Sequence, residues 1–273
     1  MLYAVVSLAV TGLAFGALLA FAAQRFAVPV DPRVEAIKKE LPSANCGGCG
    51  FASCGALAEA IAGGRAPVDC CGVGGSPVAQ KIGEIMGIGV EDKEPQVARV
   101  MCLGGKAEAG ELFTYEGIRD CRAASIPQIQ GGFKACTYGC LGLGSCVRVC
   151  VFGAMSMGPN GLPVVDDTKC TACGKCVAEC PRSIIKLVGR SRKVHVRCQN
   201  KDKGAVARKL CKVACIACKR CEKACEYDAI KVDNNLASID YSKCTNCGAC
   251  AAACPPKCII DERPSEECEA AAS

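Results

Sequence analysis

Two stretches constrain this chain more than anything else in it. Cys170-Thr171-Ala172-Cys173-Gly174-Lys175-Cys176-Val177-Ala178-Glu179-Cys180-Pro181 and Cys244-Thr245-Asn246-Cys247-Gly248-Ala249-Cys250-Ala251-Ala252-Ala253-Cys254-Pro255 share the pattern C-x2-C-x2-C-x3-C-P. That spacing is a [4Fe–4S] signature: three thiolates on one tight loop cap three irons of a cubane, and the fourth cysteine points to a second cluster. Each run therefore demands a partner upstream. Both are present, as Cys136-x3-Cys140-x5-Cys146-x3-Cys150 and Cys215-x2-Cys218-x2-Cys221-x3-Cys225. The crossed assignment predicts four quartets. They are Cys136, Cys140 and Cys146 with Cys180; Cys150 with Cys170, Cys173 and Cys176; Cys215, Cys218 and Cys221 with Cys254; and Cys225 with Cys244, Cys247 and Cys250. The two halves form an internal repeat, with a step of 75 from Cys150 to Cys225 and of 74 from Cys180 to Cys254. Zinc ribbons also use C-x2-C pairs, but as two separated pairs, not as three or four cysteines on one loop followed by proline.

The rest of the composition agrees. The chain has 27 cysteines in 273 residues, few aromatics and no tryptophan, so large side chains for a core are scarce. Bound metal fills that role in other small domains. Metal thiolates need a reducing compartment. The formal charge of +6 counts cysteines as neutral; with five clusters at about −2 each the loaded chain sits near −4 (6 − 10). The basic balance is therefore no argument for nucleic acid.

In chain order, Leu2 to Ala23 holds no charge and is long enough to span a bilayer. No Lys or Arg precedes it, as a signal peptide would require, while Arg25, Arg33, Lys38 and Lys39 follow. Positive-inside logic puts the N-terminus outside and the remainder in the cytoplasm, on a single-pass anchor of the cytoplasmic membrane. Gly12, Gly16 and Ala20 form a small-residue stripe suited to packing on partner helices. Asp31-Pro32 opens a short helix with Val34, Ile37 and Leu41 on one face. Cys46-x2-Cys49-x4-Cys54 is a three-cysteine loop that predicts a fifth cluster, its fourth ligand being Cys70 or Cys71. A helix-like Ala56–Ala62 follows, and Ser76-Pro77 caps another helix carrying Ile82, Ile85 and Met86. Cys102 and Cys121 make no motif and read as buried thiols; spacing leaves open whether they, or Cys198 and Cys211, bind anything further. Lys186 to Lys223 carries thirteen Lys or Arg against Asp202 and Glu222. It is either a charged linker or a docking patch for an acidic redox partner, with Arg190, Arg192, Lys193, Lys219 and Arg220 as the candidate contacts. His195, the single histidine, lies in a strand-like run and reads as structural. The tail after Pro264 reads as disordered, with Cys268 free.

The expected organisation is α+β: a transmembrane anchor (1–27), a four-cysteine iron–sulfur domain (28–90), a connecting region (91–132), a dicluster ferredoxin-like repeat (133–188), a basic linker (189–211), a second repeat (212–263) and a tail (264–273). No G-x-G-x-x-G or Walker loop is present, and one histidine cannot support several catalytic constellations. The chain reads as an electron carrier.

Cys46-Gly47-Gly48-Cys49-Gly50-Phe51-Ala52-Ser53-Cys54, Ala58-Glu59-Ala60-Ile61 and Cys71-Gly72-Val73-Gly74-Gly75, ahead of paired ferredoxin repeats, resemble the B component of the Rnf complex. Cys136-Thr137-Tyr138-Gly139-Cys140-Leu141-Gly142-Leu143-Gly144-Ser145-Cys146 and Lys193-Val194-His195-Val196 look like the forms from clostridia and related anaerobes. Val151 and Glu226 stand where that family usually has proline. The resemblance selects Cys71 over Cys70, since the family's fourth cysteine is followed by two residues and then Gly-Gly. It implies a membrane-bound, ion-translocating ferredoxin:NAD oxidoreductase in which this component takes electrons from soluble ferredoxin. It would pass them to membrane subunits, with the flavin and nicotinamide sites on other chains.

Overall fold

The computed structural model describes residues 2–26, 31–126 and 131–263; the tail and Cys268 lie outside them. One long helix, Leu2–Arg25, opens the chain. Its stretch Val5–Arg25 has a mean hydropathy of 2.2 and is not covered by the rest of the protein. Leu8, Leu13, Phe15 and Leu19 all stand exposed. An apolar helix with no protein around it is long enough to cross a hydrocarbon layer, and its hydrogen bonds are all internal.

Three helices build the next unit. Asp31 caps Pro32–Glu40 by accepting from the Arg33 amide. Ser53 caps Cys54–Ala62 by accepting from Ala56 N at 3.1 Å. Gly75–Met86 is the third. Their apolar faces meet at Ile37, Leu41, Leu57, Ile61 and Ile82, all buried. Ser76 differs from the expected cap. Its hydroxyl accepts from Lys93 N at 2.7 Å and donates to Lys93 O at 3.2 Å, pinning the chain that leaves the unit.

The remaining chain folds as two ferredoxin-like units of the same plan. In the first, Met155–Met157 pairs with Pro163–Val165, and Gln96–Val100 pairs antiparallel with Ile185–Gly189 (Val97 opposite Val188, Val100 opposite Ile185). In the second, Ile230–Asp233 and Leu236–Ile239 form a hairpin, and Val194–Val196 pairs with Ile259–Asp261. Asn234 and Asn235 turn that hairpin at φ +45° and +60°, the left-handed conformation a two-residue hairpin turn needs and asparagine tolerates. Each unit thus begins with a strand outside its expected bounds. Gln96–Val100 falls in the presumed connecting region and Val194–Val196 in the presumed linker. Both segments are long excursions in sequence whose first residues return to close a sheet edge.

The two units share an interface. Arg99, buried, binds Asp167 of its own unit and Glu262 of the other (3.1 Å). Arg197 Nε donates to Val100 O at 2.9 Å. His195 is fully buried, with Nδ1 2.8 Å from the Tyr241 hydroxyl. It is structural, as its sequence setting suggests.

Candidate metal centres

The cysteines gather into separate groups. Cys46, Cys49, Cys54 and Cys71 line one cavity of about 360 Å³ beneath the Cys54–Ala62 helix. Cys70 does not line it; its thiol lies 3.7 Å from Cys49 O, where it can donate. Cys150, Cys170, Cys173 and Cys176 line a second cavity, and Cys225, Cys244, Cys247 and Cys250 a third. Cys221 has Cys215, Cys218 and Cys254 as its thiol neighbours. These groupings coincide with the spacing of the cysteines in sequence.

The first repeat's other quartet is different. Cys140, Cys146 and Cys180 share their cavity of about 400 Å³ with Cys121, not with Cys136. The spacing points to Cys136 because it is the cysteine nearest upstream. The 75-residue step tells otherwise: it carries Cys140 to Cys215, Cys146 to Cys221 and Cys150 to Cys225, but Cys218 corresponds to Leu143. The fourth thiol on this cavity is that of Cys121, whose amide donates to Ser145 Oγ at 2.8 Å, while Ser145 and Arg148 both bind Asp120. Carrying the step one cysteine further exposes the mismatch, because it sends Cys136 to Cys211.

The donor chemistry fits iron–sulfur clusters. The thiols of these groups stand spaced around cavities of some hundreds of Å³ instead of converging on one point, the arrangement that a polynuclear centre fills. Burial, reinforced by neighbouring thiols, pushes Cys140, Cys176 and Cys250 up to about 12 and Cys146 up to about 11. Such thiols ionise only against a strong local positive charge, which iron supplies. Backbone amides point at several sulfurs, as in Ala98 N to Cys170 Sγ at 3.4 Å and Ala229 N to Cys225 Sγ at 3.4 Å. Cys258 stands against Cys254 (Sγ to Sγ 3.6 Å) and Cys215. Hydrogen bonding with Cys258 holds the Cys215 and Cys254 thiols below the usual range, while the same contacts and burial push Cys258 up.

The groups stand close to one another. Cys173 lines the cavity of the N-terminal quartet as well as its own. The approach is tight: a Cβ on Gly48 would stand 2.2 Å from Cys173 O, and one on Gly72 2.9 Å from Ala172 O. Only glycine at both places lets the two ligand loops touch.

The basic segment divides. Arg190 Nη2 donates to Cys170 O at 2.7 Å and Arg192 Nη1 to Cys244 O at 3.0 Å. Lys193 N donates to Asn246 Oδ1 at 3.1 Å. This stretch braces the ligand loops of both repeats, which is a sufficient reason for its charge, and its two arginines are committed internally. Lys219 and Arg220 are exposed beside Cys218, itself exposed, and their side chains make no hydrogen bond or ion pair among the described residues.

Comparison with known proteins agrees with the site. Residues 41–73 match the family described as "Putative Fe-S cluster", residues 163–186 the "4Fe-4S binding domain" and residues 214–258 the "4Fe-4S dicluster domain". The chain is 50% identical to the B component of the Na(+)-translocating ferredoxin:NAD(+) oxidoreductase complex of Acetobacterium woodii, over 92% of this chain and 75% of that one. It is 46% identical to the B component of the ion-translocating oxidoreductase complex of Methanosarcina acetivorans, over 92% and 95%. To the B component of the proton-translocating ferredoxin:NAD(+) oxidoreductase complex of Clostridium ljungdahlii it is 44% identical, over 93% and 90%. With paired ferredoxin units, a separate N-terminal cysteine quartet and an apolar leading helix in one chain, this protein belongs to the B-component family of Rnf ion-translocating oxidoreductase complexes, as an iron–sulfur electron-transfer subunit.

Proposed function

We propose that this protein accepts electrons from reduced ferredoxin at its second repeat and delivers them, at the Cys46–Cys71 quartet, to membrane subunits on the way to NAD. The five quartets would each hold a [4Fe–4S] cluster, which when bound supplies a one-electron carrier. The residues do the rest. Buried thiols exclude water from the sites, amides directed at sulfur favour the thiolate form, and Gly48 and Gly72 bring two sites into contact. The observation that carries the reading is the shared wall at Cys173, which makes the N-terminal quartet the next site after the first repeat. That quartet is also the one nearest in sequence to the apolar helix. We place that helix as a single span of the cytoplasmic membrane, with its N-terminus outside and the cysteine-bearing domains in the cytoplasm, because Arg25, Arg33, Lys38 and Lys39 follow it.

Reduced ferredoxin should bleach the visible band of the anaerobically purified protein, which a zinc scaffold would lack. A Cys71→Ser variant should still be bleached by ferredoxin but should no longer reduce the membrane partners. Loss of ferredoxin-dependent bleaching in that variant would instead put electron uptake at the N-terminal quartet and reverse the proposed direction.

A further inference from the structure

The five quartets leave a break. The N-terminal quartet and the two of the first repeat form one contiguous group, and the two of the second repeat another: Cys176 neighbours Cys146, and Cys250 neighbours Cys221 and Cys225. Between the groups lies a cavity of about 400 Å³ lined by Cys102, Cys136, Cys198 and Cys211. All four are buried. None falls within the residues matched to an iron–sulfur family.

The four come as two equivalent pairs. Cys102 lies two residues beyond the strand Gln96–Val100, and Cys198 two residues beyond Val194–Val196, the matching strand of the second unit. The 75-residue step that relates the ligand arrays carries Cys136 to Cys211. The hydrogen bonds obey the same relation. Cys140 N donates to Cys102 Sγ at 3.4 Å, and Cys215, its equivalent, donates to Cys198 Sγ at 3.3 Å. The Tyr138 amide bonds the Cys136 sulfur as the Val213 amide bonds that of Cys211, again 75 residues apart. This amide-to-sulfur contact two residues on recurs at the array cysteines Cys140, Cys173 and Cys215. Asn200 Nδ2 adds a donor to Cys136 Sγ at 3.4 Å. Lys134, 5% exposed, and Arg197 stand on the wall and offset negative charge. Gly104 closes the space, since a Cβ there would stand 3.1 Å from Cys211 Sγ. A duplicated arrangement of four buried thiols, each sulfur held by an amide or side-chain donor or by the facing pair, is what a cluster between two related units requires.

We propose that Cys102, Cys136, Cys198 and Cys211 hold a sixth [4Fe–4S] cluster, contributed in equal pairs by the two ferredoxin units and joining their separate rows of sites into one. It touches both neighbours. Cys140 lines this cavity and that of Cys121, Cys146 and Cys180, and Cys215 of the second repeat is bonded to Cys198. The inference rests on the iron–sulfur reading of the other quartets, and it changes what the long excursions around residues 101–144 and 197–214 are for. They supply the ligands of the junction.

Iron, acid-labile sulfide and native mass spectrometry on the anaerobically purified full chain test it. The parent should carry about 24 irons as six cubanes, and the Cys198→Ala/Cys211→Ala variant about 20. In EPR of the reduced protein the variant should lose the magnetic coupling between the two repeats while each repeat keeps its own paired signal. A parent with about 20 irons, or with about 20 irons and one zinc, would overturn the sixth cluster and leave the five-site reading standing. A parent without iron would overturn that reading itself. Should the variant fail to fold, the count on the parent still decides.

Discussion

At the scale of single residues, adjacent cysteines have separate fates. Cys71 lines the N-terminal cavity and Cys70 does not. Cys71→Ser should cost the protein about four irons and Cys70→Ser none, measured by iron content per chain. Lys219 and Arg220, exposed beside Cys218, are charges available to an acidic donor at that site. Reversing both to Glu should slow reduction by ferredoxin in stopped flow at low salt, with the difference shrinking as ionic strength screens it. Reduction by a small neutral reductant should not change. The same reversal at Arg190 and Arg192 should behave differently, loosening the Cys170 and Cys244 loops and losing iron, because those guanidiniums brace backbone carbonyls. His195 gives a pH signature. Burial, with Arg99, Arg197 and Lys193 nearby, lowers it to about 4 from 6.5. The unfolded chain therefore binds the extra proton between those values, so this residue's contribution is present above pH 6.5 and lost as pH falls toward 4. Parent and His195→Gln should converge in denaturation midpoint as pH is lowered through that window.

At the scale of elements, the glycine-to-carbonyl contact between ligand loops should be the sensitive joint. With a Cβ at Gly48 only 2.2 Å from Cys173 O, even Gly48→Ala must push the N-terminal unit away from the first repeat. Iron content should be unchanged, while the coupling of the two sites in EPR weakens; full coupling would mean the loops can shift at no cost. What the sequence disclosed follows the same division. Contiguous loops such as Cys170–Cys176 were legible because one tight turn forces their spacing, and the helix Pro32–Glu40 because Asp31 sits where a cap must. Ligands brought in by tertiary structure were not legible one at a time. Cys121 reaches its site through Ser145 and Asp120, and Gln96–Val100 reaches its strand partner some ninety residues later. No local pattern encodes either, although the internal repeat, applied to every cysteine instead of two, marks Leu143 as the position lacking a thiol.

At the scale of the whole molecule, the protein separates into a part that carries metal and a part that carries none. Every assigned cysteine ligand lies at Cys46 or later, and the N-terminal unit begins its own capped helix at Asp31. The helix Leu2–Arg25 makes no core with that unit. Deleting residues 1–26 should therefore give a protein that stays in the supernatant on ultracentrifugation with its iron content intact. Two contributions to the helix's role can be told apart. A Cβ on Gly12 or Gly16 meets nothing within 4 Å, so within this chain that stripe is open and ready for another helix. Gly12→Leu/Gly16→Leu keeps the helix apolar enough to remain in the bilayer but fills the groove. Its expected behaviour is membrane-bound, fully loaded with iron, and no longer co-purifying with the other components of the complex. If the filled-stripe variant still assembles while the truncated protein does not, the helix serves as a tether alone and the cysteine-bearing domains make the contacts with the rest of the complex.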